Sequence, residues 1–283
     1  MDRIIQYSTK ASLYNGDFGV GGAPWPAAGM GYVFVTGDGQ LMVVDGGHGE
    51  DAEALLALLS EVTGEERPTV SRWIVTHPHM DHYGALREIA AREELRERVN
   101  VGELWWYFPA EFRDGNGKAP CERANRHMEE IRTALGAVEH TPKTGETAVA
   151  GDLTLTVLFV PVDCGWINNP NSLSLIFKVS SPRKTVLMTG DAFSDTLGYC
   201  AERYGAGLRA DILQMPHHGL CDTGHEGFYR LVGADTLLVP ISEAGERTMK
   251  SGIYGDATAA NLVAEGMAET VYRAFEGTIT SLL

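Results

Sequence analysis

Thr76-His77-Pro78-His79-Met80-Asp81-His82 gathers three imidazoles and a carboxylate within six residues, directly after the apolar run Trp73-Ile74-Val75. A turn leaving a β-strand can aim alternate side chains at two adjacent cations. Imidazole nitrogen and carboxylate oxygen are also the donors that zinc and other first-row divalent ions accept. Helix capping explains the run poorly. Asp81 can serve as the N-cap of a helix beginning near Tyr83, but His77 and His79 would have no part in it. The spacing therefore points to a metal centre at the end of a strand.

Outward from this run, short β-like stretches alternate with helical ones. In the first half, strands are expected over 31–35, 40–44, 71–76 and 103–108, and helices over 51–62, 83–91 and 121–135, the last closed by Gly136. In the second half, strands are expected over 153–160, 173–179, 185–189, 211–215, 236–239, 269–273 and 278–282. Helices are expected there over 195–204, 224–232 and 257–265. Leu153, Leu155, Val157 and Phe159 alternate with more polar neighbours, as one buried face requires, whereas Leu237-Leu238-Val239 reads as a strand covered on both faces. Mixed sheets flanked by helices imply a layered α/β architecture with functional groups on loops at strand ends. No linker, low-complexity tract or repeat divides the chain, so residues 1–283 read as one domain.

Composition narrows the function. Hydrophobic residues at 44% and charged residues at 22% exclude disorder as the main state. Lys and Arg number 23 against 38 Asp and Glu, a net charge of −15, which repels polyanions and argues against duplex nucleic acid as a partner. A small-molecule substrate is the expected partner, and nothing in the sequence speaks to subunit association. Four cysteines without C-x-x-C spacing read as reduced thiols rather than a disulfide framework or a thiolate zinc site. Cys221 is read as a buried thiol, not a nucleophile. The start lacks a signal-peptide apolar region, and no run approaches the ~18 apolar residues of a membrane span. A cytoplasmic setting without membrane contact is expected.

Five further segments agree in order with one family: Leu41-Met42-Val43-Val44-Asp45-Gly46-Gly47, Asn168 to Leu175, Val186-Leu187-Met188-Thr189-Gly190-Asp191, Asp211 to Gly219, and Val271 to Ile279. With the H-x-H-x-D-H cluster they resemble the metallo-β-lactamase fold superfamily. The second and last segments look like the branch containing the hydrolase domain of bacterial competence proteins and the choline-phosphate esterases. Taken singly, Asp45 and Asp191 read better as turn-forming Asp-Gly and Gly-Asp pairs, and only their order around the histidines reverses that.

The resemblance implies a four-layer αββα sandwich of two mixed sheets flanked by helices. It also implies a dinuclear centre of two divalent ions, zinc first, with manganese or iron able to compete. His77 and His79 would hold the first ion, Asp81 and His82 the second, Asp191 would bridge them, and His218 would complete the set. Asp45 would orient the site, and His217 would contact a substrate phosphate or support the ligands. After the strand 211–215, consecutive side chains should diverge, so only one of His217 and His218 is expected to ligate.

The implied chemistry is hydrolysis by a metal-bound hydroxide whose proton Asp81 or Asp191 can hold, with Asp81 and His217 as catalytic residues. A phosphoester or phosphodiester is the expected substrate. The alternative is an acyl hydrolase for a lactone, thioester or β-lactam. A di-iron oxidoreductase of the same fold usually carries Glu where this chain has His79, and the retained ligands disfavour a degenerate binding domain. Two departures stand out. The segment Val160 to Asn169 lacks the histidine many relatives carry, leaving Asp163 or Cys164 as substitutes, and Asp256 stands where the branch has His. His48 and His225 read as solvated loop histidines, and Gly19 to Gly31 as an irregular loop. Trp105-Trp106-Tyr107-Phe108 reads mainly as core, and secondarily as an aromatic wall for a choline-like cation.

Overall fold

A computed structural model describes residues 1–9, 12–14, 25–162, 165–220, 224–243, 245–246, 262 and 265–283. The first half runs β1 (Arg3–Gln6), β2 (Ser12–Tyr14), β3 (Trp25–Ala27), β4 (Gly31–Val35), β5 (Leu41–Asp45), α1 (Ala52–Thr63), β6 (Thr69–Ile74), α2 (Met80–Ala91), α3 (Glu93–Arg96), β7 (Asn100–Trp105), α4 (Pro120–Leu135) and β8 (Val138–His140). The second half runs β9 (Thr147–Ala150), β10 (Leu153–Phe159), β11 (Ile176–Ser180), β12 (Thr185–Met188), α5 (Ser194–Tyr204), β13 (Ile212–Gln214), α6 (Glu226–Val232), β14 (Thr236–Val239), β15 (Thr270–Arg273) and β16 (Ile279–Leu282).

Among the described residues the strands form two mixed seven-stranded sheets, ordered β16-β1-β4-β5-β6-β7-β8 and β15-β14-β13-β12-β11-β10-β9, with β2-β3 as a separate pair. Alternation along the strands explains the layering. Tyr32, Phe34, Met42 and Val44 of the first sheet meet Leu155, Val157, Val186 and Met188 of the second in one buried cluster between the sheets. Val33, Val35, Leu41 and Val43 point the other way and are covered by Leu55, Leu56 and Leu59 of α1 and Leu86 and Ile89 of α2. On the far side, Leu187, Leu213 and Leu237 are covered by Leu197 and Cys200 of α5 and by Phe228 and Val232 of α6. The result is the αββα sandwich.

β5, β6 and β7 are parallel, with Val43 beside Trp73 and Trp73 beside Leu104. β12, β13 and β14 are parallel too, with Val186 beside Ile212 and Ile212 beside Thr236. The loops at the carboxyl ends of β5 and β6 therefore lie together, as do those of β12 and β13. Leu175 N donates to Thr76 O at 2.9 Å and stitches the two sheets at that end.

Several boundaries differ from the sequence reading. The strand expected over 103–108 is β7, shifted toward the N-terminus and ending at Trp105. β6 and β8 supply hydrogen bonds on both sides of it, which outweighs the poor strand propensity of Asn100 and Gly102. The strand expected from Leu173 begins only at Ile176, because Pro170–Leu173 forms a 3₁₀ turn closed by Ser174 Oγ donating to Asn171 O at 2.8 Å. α2 starts at Met80 with His79 at its N-cap, so Asp81 sits in the first turn rather than capping it. The expected irregular loop 19–31 contains β3 and the start of β4. Four short strands lacked a readable pattern: β1 is buried, whereas β8 and β9 lie at sheet edges and expose Val138 at 65% and Val149 at 63%. β2 has too few residues for alternation to register. The helix expected over 257–265 lies mostly outside the described residues.

Candidate metal centre

Asp45 ends β5 with φ 58° and is fully buried. Left-handed backbone is uncommon outside glycine, and here it turns the carboxylate back toward the next strand end. Its Oδ1 accepts from Thr76 N at 2.8 Å, and its Oδ2 accepts from Thr76 Oγ1 at 2.9 Å and from His82 Nδ1 at 2.8 Å. The last bond places the His82 proton on Nδ1 and leaves the Nε2 lone pair for another partner. Asp45 thus orients His82 without joining the donor groups described next.

Two groups of donors converge. Asp81, His82, Asp191 and His218 form one and His77, His79 and Asp191 the other, with the donor atoms of each lying within 4.8 Å of one another. Asp191 belongs to both. Its Oδ2 is 3.7 Å from His77 Nε2, 3.3 Å from His82 Nε2 and 3.5 Å from His218 Nε2, and Asp81 Oδ2 is 3.3 Å from His218 Nε2.

Among the described residues, His77 Nε2, His82 Nε2, His218 Nε2 and Asp191 Oδ1 are buried without a hydrogen-bond partner. A buried unpaired polar atom costs about 1–3 kcal/mol, so four of them aimed into one cluster fit residues that await cations. The electrostatics agree. Burial, helped by His82, holds His77 well below the ordinary imidazole value, so it stays neutral and able to ligate. Burial acts the same way on His82 and His218, yet the carboxylates outweigh it: Asp191, Asp45 and Asp81 raise His82, and Asp191 with Asp81 raises His218 to about 10. The four-donor group stabilises positive charge, whether borne by protons or by a metal ion.

Asp191 follows β12 through Gly190, whose φ is 53° and where a Cβ would lie 2.8 Å from Ser174 Oγ. Only glycine fits there without strain. Ser174 Oγ then accepts from Asp191 N at 2.9 Å. His218 follows β13, and its Nδ1 donates to Pro240 O at 2.6 Å, which leaves Nε2 facing the carboxylates.

His217 joins neither donor group. Its ring lies 4.8 Å from that of Phe193 and 6.2 Å from that of His218. The expected reason for their divergence is corrected. β13 ends at Gln214, and the two histidines occupy a tight turn with φ 46° and 56°, so it is the left-handed turn, not strand alternation, that separates them.

Two other histidines are corrected as well. His48 is buried at 8% exposure, its N–H donating to Asp51 Oδ2 at 2.9 Å. His225 caps α6, its Nδ1 accepting from Phe228 N at 3.0 Å. Trp105, Trp106 and Phe108 are buried, and Trp105 stacks on His140 at 4.0 Å, so they pack the interior. Asp163, Cys164, Cys221 and Asp256 lie outside the described residues. Sequence reasoning missed Gln214 and Ser174, both fully buried beside the donor-bearing turns. The available signal was one polar residue inside the apolar run Ile212-Leu213-Gln214-Met215.

A sequence model of the metallo-beta-lactamase superfamily matches residues 30–223. The chain is 23% identical over 207 residues to the probable metallo-hydrolase YqgX of Bacillus subtilis, covering 68% of this chain and 82% of that one. The fold is similar to that of the metallo-beta-lactamase fold protein YhfI from Bacillus subtilis, at TM-score 0.57 and 15% identity over 99% of this chain and 100% of that one. It is also similar to Zn(2+)-bound PqqB from Methylobacterium extorquens, at TM-score 0.55 and 12% identity over the whole of both chains.

Proposed function

The chain belongs to the metallo-beta-lactamase superfamily, and from that premise we propose that it is a dinuclear metal-dependent hydrolase of small phosphoesters or phosphodiesters. One observation carries the reading: two donor groups share Asp191, and three imidazole nitrogens around it, with its own Oδ1, are buried without a hydrogen-bond partner among the described residues. His77 and His79 would hold one ion, Asp81, His82 and His218 the other, and Asp191 both. A divalent ion such as zinc, manganese or iron held there would supply Lewis acidity and lower the pKa of a bound water toward neutrality.

The chain's own residues supply the rest. Asp45 and Pro240 O fix the proton on Nδ1 of His82 and His218, so that both present Nε2. The greater exposure of the Asp81 side chain, 18% against 2% for Asp191, supports it as the carboxylate that would take a proton from an incoming water. The position of His217, beside His218 but outside the donor groups, supports a role in steadying negative charge on the substrate or its leaving group. Among the described residues the group of His77 and His79 has three donors and that of His82 and His218 four, an asymmetry that supports a more open face for a substrate oxygen at the former. That asymmetry favours displacement at phosphorus, as does the likeness of residues 168–175 and 271–279 to phosphoester-cleaving relatives. The charge of −15 favours small substrates over duplex DNA.

Metal analysis of the purified protein, followed by turnover on bis-p-nitrophenyl phosphate, phosphocholine esters, lactones, a chromogenic cephalosporin and plasmid DNA, tests this. The expected result is two divalent ions per chain and cleavage of the small phosphoesters. Turnover of the acyl substrates alone, or efficient plasmid degradation at physiological salt, would overturn the substrate assignment.

A further inference from the structure

Gln214 is fully buried at the end of β13, between apolar neighbours Leu213 and Met215. An apolar side chain would fill this space without the cost of dehydrating an amide. All four hydrogen-bonding positions of the amide are used instead. Oε1 accepts from Thr189 N at 2.7 Å and Gly190 N at 2.8 Å. Nε2 donates to Gly190 O at 2.9 Å and Met215 O at 2.6 Å. Each partner belongs to one of two turns: Thr189-Gly190 delivers Asp191, and Met215 leads through Pro216 to His218. Thr189 Oγ1 closes the clamp by donating to Gln214 O at 2.8 Å.

We propose that Gln214 is the positioning residue that fixes the separation of Asp191 and His218 and so sets the metal affinity of the four-donor group. The inference rests on the metal-centre reading above. The four-donor group takes both Asp191 and His218 from the clamped turns, whereas the three-donor group takes only Asp191. Loss of the clamp should therefore weaken the four-donor site more than the other. A mere space-filler would not distinguish the two.

The test uses Gln214→Glu and Gln214→Met. Gln214→Glu keeps an acceptor for the two N–H groups but turns a second oxygen toward the Gly190 and Met215 carbonyls. Gln214→Met keeps the length and removes every hydrogen bond. Both are titrated with Mn(II) alongside wild type, reading the two binding equivalents, the spin coupling between the two ions by electron paramagnetic resonance, and melting of the metal-free protein. One equivalent should weaken by roughly 10- to 100-fold, with loss of the coupled signal, while the other changes far less. Variants that bind two coupled ions like wild type overturn this inference alone, as does an equal loss of both equivalents in step with melting. Wild type that binds no divalent ion overturns the metal-centre reading and this inference with it. If neither variant folds, Thr189→Val, which removes one hydroxyl from the clamp, must show a smaller selective loss of the same kind, and its absence overturns the proposal.

Discussion

His217 and His218 adopt φ 46° and 56°, conformations that cost a non-glycine residue about 1–3 kcal/mol each. The surrounding structure has to hold them there, through His217 N donating to Gly190 O at 3.2 Å and His218 Nδ1 donating to Pro240 O. The turn sends one ring into the carboxylate cluster and the other against Phe193. His218→Ala should therefore lower metal occupancy. His217→Ala should keep the metal and lose on the order of 10²-fold in turnover, as loss of one charge-stabilising group commonly does. Metal titration and turnover on the two single variants decide the roles, and metal loss from His217→Ala with full retention in His218→Ala would invert the assignment.

The parallel pairs of strands do the positioning at the next scale. β5 ends in Asp45, β6 runs into the histidine turn, β12 ends one turn short of Asp191, and β13 ends at the amide that holds that turn. β5 and β13 are buried throughout and β6 and β12 at their carboxyl ends, so those ends are fixed by packing and the loops beyond them carry the chemistry. The connection from β12 is the most constrained. At Gly190 a Cβ would also come within 3.0 Å of Thr76 Cβ, and the positive φ adds strain. Gly190→Ala is expected to destabilise the fold by about 1–3 kcal/mol and to weaken metal binding, because relief of the clash moves Asp191 or Thr76. Thermal melting and metal stoichiometry check both effects. A variant that melts and binds like wild type would show that the turn tolerates displacement.

Over the whole molecule, negative charge dominates the surface, and three carboxylates, Asp45, Asp81 and Asp191, are concentrated around the histidines between the sheets. Burial opposes ionisation of Asp81 and Asp191, but the neighbouring imidazoles hold both below the ordinary carboxylate range. His82 and His218 are raised in return, His218 to about 10, so in the metal-free protein at pH 8 His218 carries a proton that a metal must displace. Metal addition at pH 8 should release roughly one proton per chain from His218, measurable by calorimetry in buffers of different ionisation enthalpy. The linkage sign follows. A raised histidine stabilises the metal-free fold fully below its unfolded value near 6.5, and that contribution is lost as pH rises toward about 10. Melting of the metal-free protein should fall across this window, and bound metal should remove the fall. Metal loading without proton release would contradict the charge arrangement.

The sequence by itself determined the layered α/β class, the order of most strands and helices, and the candidate donors of the H-x-H-x-D-H run, because these follow from local periodicity and from residues close together along the chain. Gly136 ends α4 with φ 65° where the sequence placed a stop. Tertiary structure alone decided which histidine of His217-His218 faces the cluster, since that depends on a left-handed turn held by bonds from Gly190 and Pro240. It also decided that His48 and His225 have structural surroundings, that β7 lies where its neighbours pair it, and that Gln214 clamps two turns. Asp191 and His218 are 27 residues apart in sequence yet within 3.5 Å at Oδ2 and Nε2. Closeness of that kind comes from parallel strand pairing and buried hydrogen bonds between distant segments, which leave no periodic trace in either segment alone.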